Sequence, residues 1–171
     1  MRNVIAAAAM AAFLFAAARA DDYWGNCTRS PAVSPELRIR DCTIRVDKGA
    51  NMFFDDRESL LRRGQAYLDS GQYRLAIADY DHSLAPNMIG AVPYADARLQ
   101  RAVAYAFLRD FPRAEQDLDA ALSEQEATRP PANDPLLAKI RMARGLLVAV
   151  RNGIQSADVL RQVMEATVHQ E

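Results

Sequence analysis

The sequence contains few of the residues on which β-structure, metal sites and catalytic centres usually depend. Its 171 residues include seven glycines, two cysteines, two histidines and one tryptophan. No segment alternates apolar and polar residues as a half-buried strand does, so the pattern predicts an all-α chain. Glycine-rich phosphate loops, nucleophile elbows and C-x-x-C pairs are missing from the sequence. The motif-based routes to nucleotide, hydrolase and zinc chemistry are therefore not indicated.

The remaining titratable residues do not form a convincing catalytic group. His82 and His169 lack metal-ligand spacing to another histidine or cysteine. The acidic pairs are Asp55-Asp56, Asp79-x-Asp81 and Asp117-x-Asp119. The last two recur at a fixed spacing, which favours solvated outer faces of helices over acid/base pairs. We therefore predict no catalytic residues, no metal ligands and no cofactor, and rank an enzyme third among the function classes.

The charge balance excludes strongly basic classes of protein. The formal net charge is −1, and it becomes −3 if the first 20 residues, which carry two arginines and no acid, are removed. A mildly acidic chain offers no electrostatic case for nucleic acid or for an anionic membrane surface. No apolar run after residue 20 is long enough to span a bilayer. We expect neither nucleic-acid binding nor stable membrane insertion of the mature chain.

Residues 1–20 have the organisation of a secretory signal peptide. Arg2 precedes an apolar run over 4–18, and Ala18-Arg19-Ala20 places small residues where signal peptidase reads them. We predict cleavage after Ala20 and a periplasmic or secreted mature chain of 151 residues. The alternative is an uncleaved membrane anchor, which the shortness of the run disfavours.

The two cysteines are predicted to form a disulfide. Cys27 and Cys42 lie 15 residues apart in a chain expected to be exported to an oxidising compartment. A loop of this length is worth about 3 kcal/mol in the chain-entropy model. The alternative is a pair of buried free thiols.

Capping residues and helix breakers divide the chain into seven predicted helices. Ser34, Asp55, Asp110 and Asp134 are typical N-caps, and Gly71 suits a left-handed turn between two helices. The predicted helices cover about 35–48, 55–69, 73–85, 94–108, 110–126, 135–151 and 155–168.

Two of these segments repeat each other at a constant offset of 38 residues. Seven of nine matched pairs are identical, and the other two exchange one large apolar residue for another. Such a repeat is typical of a supersecondary unit that buries its apolar face by stacking on a copy of itself. The matched residues are Arg63, Ala66, Tyr67, Tyr73, Ala76, Asp79, Tyr80, Asp81 and Leu84, opposite Arg101, Ala104, Tyr105, Phe111, Ala114, Asp117, Leu118, Asp119 and Leu122.

The first copy resembles a tetratricopeptide repeat. Small residues lie where two helices would cross, large ones surround the crossing, and a glycine marks the turn. The resemblance implies a right-handed α-solenoid of antiparallel helix hairpins, in an exported bacterial protein of this family. The period of 38 differs from the family's period of about 34. The residues that carry the packing pattern are Gly64, Tyr67, Gly71, Tyr73, Ala76 and Tyr80 in the first copy, and Ala102, Tyr105, Phe111, Ala114 and Leu118 in the second.

The repeats divide the chain into four predicted segments. Residues 1–20 are the signal peptide, 21–54 a lead-in with the first helix and the disulfide, and 55–126 the two repeats. Residues 134–168 form a divergent third helix pair, in which Gly145 and Ala157 keep the 12-residue spacing of Gly64 and Ala76. We interpret this pair as a C-terminal cap. The alternative is a helical bundle that is not a solenoid.

By the resemblance, the first helix of each repeat lines a groove that holds a protein or peptide partner. The groove lacks the cationic set with which chaperone-binding members hold a C-terminal carboxylate. Each of these residues has packing as its alternative role, Phe107 above all. The predicted groove residues are Leu61, Arg62, Gln65, Leu68 and Asp69 in the first copy, and Leu99, Gln100, Val103, Ala106 and Phe107 in the second.

We therefore expect a protein–protein interaction module of the cell envelope that acts as a scaffold, adaptor or accessory subunit. The second hypothesis is a structural protein that self-associates through the ends of its repeat array, so a homo-oligomer is the alternative partner.

Overall fold

A computed structural model describes residues 26–27, 32–49, 57–85 and 94–152, and within these ranges the chain is all-α. Six helices connected by turns and linkers occupy these ranges. Their bounds are α1 Pro35–Gly49, α2 Arg57–Asp69, α3 Tyr73–Ser83, α4 Tyr94–Phe107, α5 Phe111–Ala127 and α6 Pro135–Arg151.

Local capping chemistry fixes where three of the helices begin, as the sequence predicts. The Ser34 hydroxyl accepts from the Leu37 amide at 3.4 Å in the first turn of α1. The Asp110 carboxylate accepts from the Arg113 amide at 3.3 Å, and that of Asp134 from the Leu137 amide at 2.6 Å. Each cap satisfies one of the amides that a helix N-terminus leaves without an intrahelical partner.

Two three-residue turns, 70–72 and 108–110, reverse the chain between consecutive helices. Gly71 in the first turn has φ +72°, the left-handed conformation predicted for it. The residue 38 positions later is Arg109, which holds nearly the same conformation at φ +60°. Since the two turns share this geometry, α2–α3 and α4–α5 form two similar helical hairpins.

The hairpins pack side by side and bury two connected cores. One cluster includes Leu68 of α2, Tyr80 of α3 and Ala104 of α4, so it joins the two hairpins. The other gathers residues of α4 and α5 with Ile140 and Leu147 of α6. Because opposite faces of α4 enter the two clusters, α4 is the most enclosed of the described helices.

The two hairpins close on complementary volumes at their helix crossing. A Cβ atom placed on Gly64 would lie 2.9 Å from the Tyr80 ring, which is too close for an unshifted contact. In the second hairpin Ala102 and Leu118 occupy the equivalent positions, and both are almost fully buried. The smaller residue therefore accompanies the larger partner in the first hairpin, and the sizes converge in the second.

The structure contains the predicted disulfide, which ties Cys27 to Cys42 of α1. Next to it, the Asn26 side chain donates to the fully buried Asp41 carboxylate at 2.8 Å. Asp41, Cys42 and Thr43 precede Asp79, Tyr80 and Asp81 by 38 residues. By this register, α1 matches the second helix of a hairpin, with the disulfide near its helix crossing.

Several predictions fall outside the described residues. They are the signal peptide over 1–20, the Asp55 cap, and the seventh helix over 155–168 with Ala157. Among the helices that are described, none is both long enough and apolar enough to cross a membrane.

Candidate functional site

The residues predicted to line a groove lie mainly inside the packing of the first helices. Six of them are less than a tenth exposed, and Leu99 is completely covered. These six are Leu61, Leu68, Leu99, Gln100, Val103 and Ala106. Arg62, Gln65 and Phe107 are half-buried, and Asp69 is exposed. The accessible part of the predicted groove therefore consists of these last four side chains.

The accessible groove residues of α2 take part in short-range polar contacts. Arg62 pairs with Glu58 one turn earlier, and Gln65 donates to Asp69 at 2.8 Å. Asp69 also lies 3.5 Å from the guanidinium of Arg38 in α1. These contacts hold the polar side chains of α2 in place before any partner arrives.

Phe107 has a packing role in this structure. Its ring stacks on Tyr73 with centroids 4.6 Å apart and planes 5° apart. This contact links the end of α4 to the start of α3, so it joins the turn ends of the two hairpins. The packing alternative for Phe107 thus has a definite contact, while part of the ring stays accessible.

A small apolar pocket lies between α4, α5 and α6. Its volume is about 20 Å³, on the order of one water molecule. A site for a small molecule typically needs several hundred Å³, so this pocket offers room for at most a methyl-sized group. Its lining comprises Ala102, Val103, Ala106, Leu118, Ala143, Leu146 and Leu147.

A repeated arginine–aspartate pair closes each hairpin. Arg63 donates to both carboxylate oxygens of Asp79, at 2.8 and 2.7 Å, and Arg101 makes the same two bonds to Asp117. Hydrogen bonding by the Asp117 carboxylate raises the pKa of Arg101 above its ordinary value. In each pair the turn residue in the left-handed conformation lies midway between the two partners.

The expectation that these aspartates form solvated outer faces is wrong for Asp79 and Asp117. Both are about 95% covered, because each carboxylate lies under the guanidinium that it binds. The sequence did contain a signal for the pairing. Both pairs are separated by 16 residues and centred on the turn, so an antiparallel hairpin brings them together. Asp81 and Asp119 remain about half exposed.

The same arginines also reach back to the preceding helix. Arg63 donates to the Thr43 hydroxyl at 3.2 Å, and Arg101 donates to Asp81 at 2.6 Å. Both acceptors lie 20 residues earlier in the chain. Arg144 of α6 contacts Asp119 of α5 at 3.0 Å in the equivalent way. We call these three contacts the arginine rungs, since each joins the first helix of one unit to the last helix of the unit before.

The rungs place α6 in register with α4 at an offset of 43 residues, and they also reveal an exposed apolar face on α6. Ala138, Met142, Gly145 and Val148 define this open face. Met142 is 50% exposed and Val148 39%. The equivalent positions of α4 are all less than a tenth exposed, and they are Ala95, Leu99, Ala102 and Tyr105.

Within the described ranges, no three His, Cys, Asp or Glu side chains lie close enough together to hold a metal ion.

Comparison with protein-family models, with curated proteins and with solved structures finds no match to this chain.

Proposed function

We propose that this chain is a tetratricopeptide-like right-handed α-solenoid that binds a protein or peptide partner. The observation that carries the proposal is the repetition of one contact set in successive units. The bidentate pair inside the hairpin recurs 38 residues later, and so does the contact to the helix before it. Units that reuse the same bonds to their neighbours stack in one direction, which is the property that generates a solenoid.

The proposed setting is the periplasm or the exterior of a bacterial cell. The Cys27–Cys42 disulfide is compatible with an oxidising compartment, and the sequence of residues 1–20 supports export. The proposed role is that of a scaffold, adaptor or accessory subunit, which acts by binding rather than by catalysis.

The proposed binding surface is the accessible part of the groove, formed by Arg62, Gln65, Asp69 and Phe107. It combines one cation, one anion, one amide and one aromatic edge, a mixture that suits a polar peptide better than a purely apolar one. The neighbouring buried residues support this surface by fixing the helices that present it.

The experiment compares partner capture by the folded protein and by two charge-reversal variants. Arg62→Glu changes the proposed surface, whereas Arg74→Glu makes the same change on the exposed part of α3. Tagged proteins are exported to the periplasm, purified with their bound proteins and compared by quantitative mass spectrometry. We expect one or more proteins to be captured by the wild type and by Arg74→Glu, and to be depleted with Arg62→Glu.

Circular dichroism and the midpoint of urea unfolding verify that both variants are folded. Equal capture by all three proteins would remove the groove from the proposal. A set of captured proteins no different from that of an untagged control would remove partner binding itself.

A second candidate function is self-association, which the open face of α6 favours. An exposed apolar face at the end of an array suits contact with another copy. Light scattering of the mature protein distinguishes the two candidates. A molar mass that stays monomeric as concentration rises supports the adaptor, and one that grows with concentration supports assembly.

A further inference from the structure

The open face of α6 lacks the cover that its counterpart in α4 receives. Ala95, Leu99, Ala102 and Tyr105 of α4 are buried, and Ala102 and Tyr105 share a core cluster with residues of α5. On α6 the equivalent surface is apolar as well, but its methionine and valine are between two and five tenths exposed. A Cβ atom added to Gly145 would meet nothing within 4 Å among the described atoms.

We propose that this chain's own residues 154–168 cover the open face as the second helix of a third hairpin. The occupant follows α6 directly in the sequence, as α3 follows α2 and α5 follows α4. Nineteen residues remain after Asn152. A three-residue turn like the other two leaves room for a helix of about 14 residues, or about 21 Å. The open face extends over 11 residues of α6, about 16 Å, so the segment is long enough.

The sequence of the segment suits an amphipathic helix. Apolar side chains at helical spacing form one stripe, and the opposite side is polar. The stripe contains Ala157, Val159, Leu160, Val163, Met164 and Val168. The polar side contains Asp158, Gln162, Glu165 and His169. An apolar stripe of this length matches a face formed by alanine, methionine, glycine and valine.

The cover has a consequence for the array. α6 carries four cationic residues and no acidic one, and Arg141, Arg144 and Arg151 pair with carboxylates of α5. The segment places Leu160 where the first two hairpins have Asp79 and Asp117, counting from Arg144. The bidentate pair is therefore not repeated, and the third hairpin depends on apolar contact alone. With its polar side outward, it closes the array and leaves no apolar end for a further copy.

The experiment measures protection of the C-terminal segment in the full mature chain. Arg161 is the one trypsin site between Asn152 and the end of the chain. Met142→Glu places a charge on the open face, whereas Leu75→Glu makes a similar change at a leucine of α3 that is 48% exposed. Hydrogen exchange of residues 155–168 and the rate of cleavage after Arg161 are compared at low protein concentration.

We expect protected amides and slow cleavage in the wild type and in Leu75→Glu. In Met142→Glu cleavage is expected to accelerate by about tenfold or more, because the segment opens locally. Val148→Glu serves as a second variant on the same face, and unchanged exchange in α2 and α3 verifies that the rest of the domain stays folded.

Free exchange of residues 155–168 in the wild type would overturn the proposal. Protection unaffected by both face variants would also overturn it, since the segment would then be held elsewhere. Protection that disappears on dilution, together with a concentration-dependent molar mass, would assign the face to a second copy instead.

Discussion

At the scale of single residues, Arg109 holds a backbone conformation that its counterpart in the first hairpin leaves to glycine. Its φ of +60° is unfavourable for a residue with a side chain, at a cost of about 1 kcal/mol. The guanidinium lies 5.4 Å from the centre of the Phe111 ring, which returns part of that cost.

We predict that Arg109→Gly raises the free energy of unfolding by about 0.5–1 kcal/mol, since glycine relieves the strained turn. The measurement is urea denaturation followed by circular dichroism. Gly71→Arg is the matched control, and it is expected to lower stability by about 1 kcal/mol. A loss of stability in Arg109→Gly would mean that the contact with Phe111 outweighs the strain.

A second prediction at this scale concerns Tyr80. Burial raises the pKa of its phenol well above the ordinary value, and its hydroxyl has no hydrogen-bond partner among the described residues. The folded chain therefore keeps this proton at pH values where the unfolded chain loses it. Stability linked to this group is fully present below the unfolded pKa of about 10 and declines as the pH rises above it.

Tyr80→Phe is expected to flatten the alkaline decline in stability and, at pH 7, to raise stability by up to about 1 kcal/mol by removing a buried hydroxyl without a partner. Urea midpoints measured between pH 7 and pH 11 test both effects. Tyr67→Phe, at a half-buried tyrosine, is the control. An alkaline decline as steep as that of the wild type would contradict the assignment.

At the scale of the helical elements, each hairpin depends on the fit between one small residue and one large one. Gly64 leaves room for Tyr80, and Ala102 is matched by the smaller Leu118. This difference predicts that the two residues of a pair are coupled rather than independent.

We predict that Gly64→Ala lowers stability by about 1–3 kcal/mol, because its Cβ atom presses on the Tyr80 ring. Adding Tyr80→Leu recreates the pair of the second hairpin and is expected to recover at least about 1 kcal/mol of the combined single-mutant losses. A double-mutant cycle of urea midpoints measures the coupling. Additive losses would show that the crossing adjusts without contact between the two side chains.

At the scale of the whole molecule, the disulfide closes the N-terminal part of the array. It connects α1 to a residue that is otherwise held by the Asn26–Asp41 hydrogen bond. We predict that Cys27→Ala with Cys42→Ala lowers the free energy of unfolding by about 3 kcal/mol, since the unfolded chain gains freedom.

The measurement is urea unfolding of the oxidised protein, and reduction of the wild type with dithiothreitol is the control. Reduced wild type and double variant are expected to agree to within about 1 kcal/mol, given the spread of single-substitution effects. An oxidised wild type no more stable than the double variant would show that the bridge adds nothing to this fold.

The sequence allows the local parts of this fold to be predicted, because caps and turns depend on a few neighbouring residues. Asp110, Asp134 and Gly71 have the predicted roles. The role of α1 is hidden in the sequence because Cys42 and Thr43 replace the tyrosine and aspartate of the later copies. Only the contact from Arg63 to Thr43 reveals the shared register.

The candidate groove is less predictable from sequence than the hairpins. Whether Leu99 or Val103 is covered depends on how closely neighbouring hairpins approach, and the pattern of one helix does not contain that distance. The burial of Asp79 and Asp117 is missed for a related reason. A carboxylate that repeats with the period looks solvent-facing until its guanidinium is placed.

The arginine rungs keep their contacts although the connecting segments differ in length. The linker before α6 makes the third rung five residues longer in sequence than the second, yet both join a guanidinium to a carboxylate of the preceding helix. Spacer length and docking geometry are thus separate variables. A gene that duplicated one such module with its arginine and aspartates would yield a longer array without redesign of either junction.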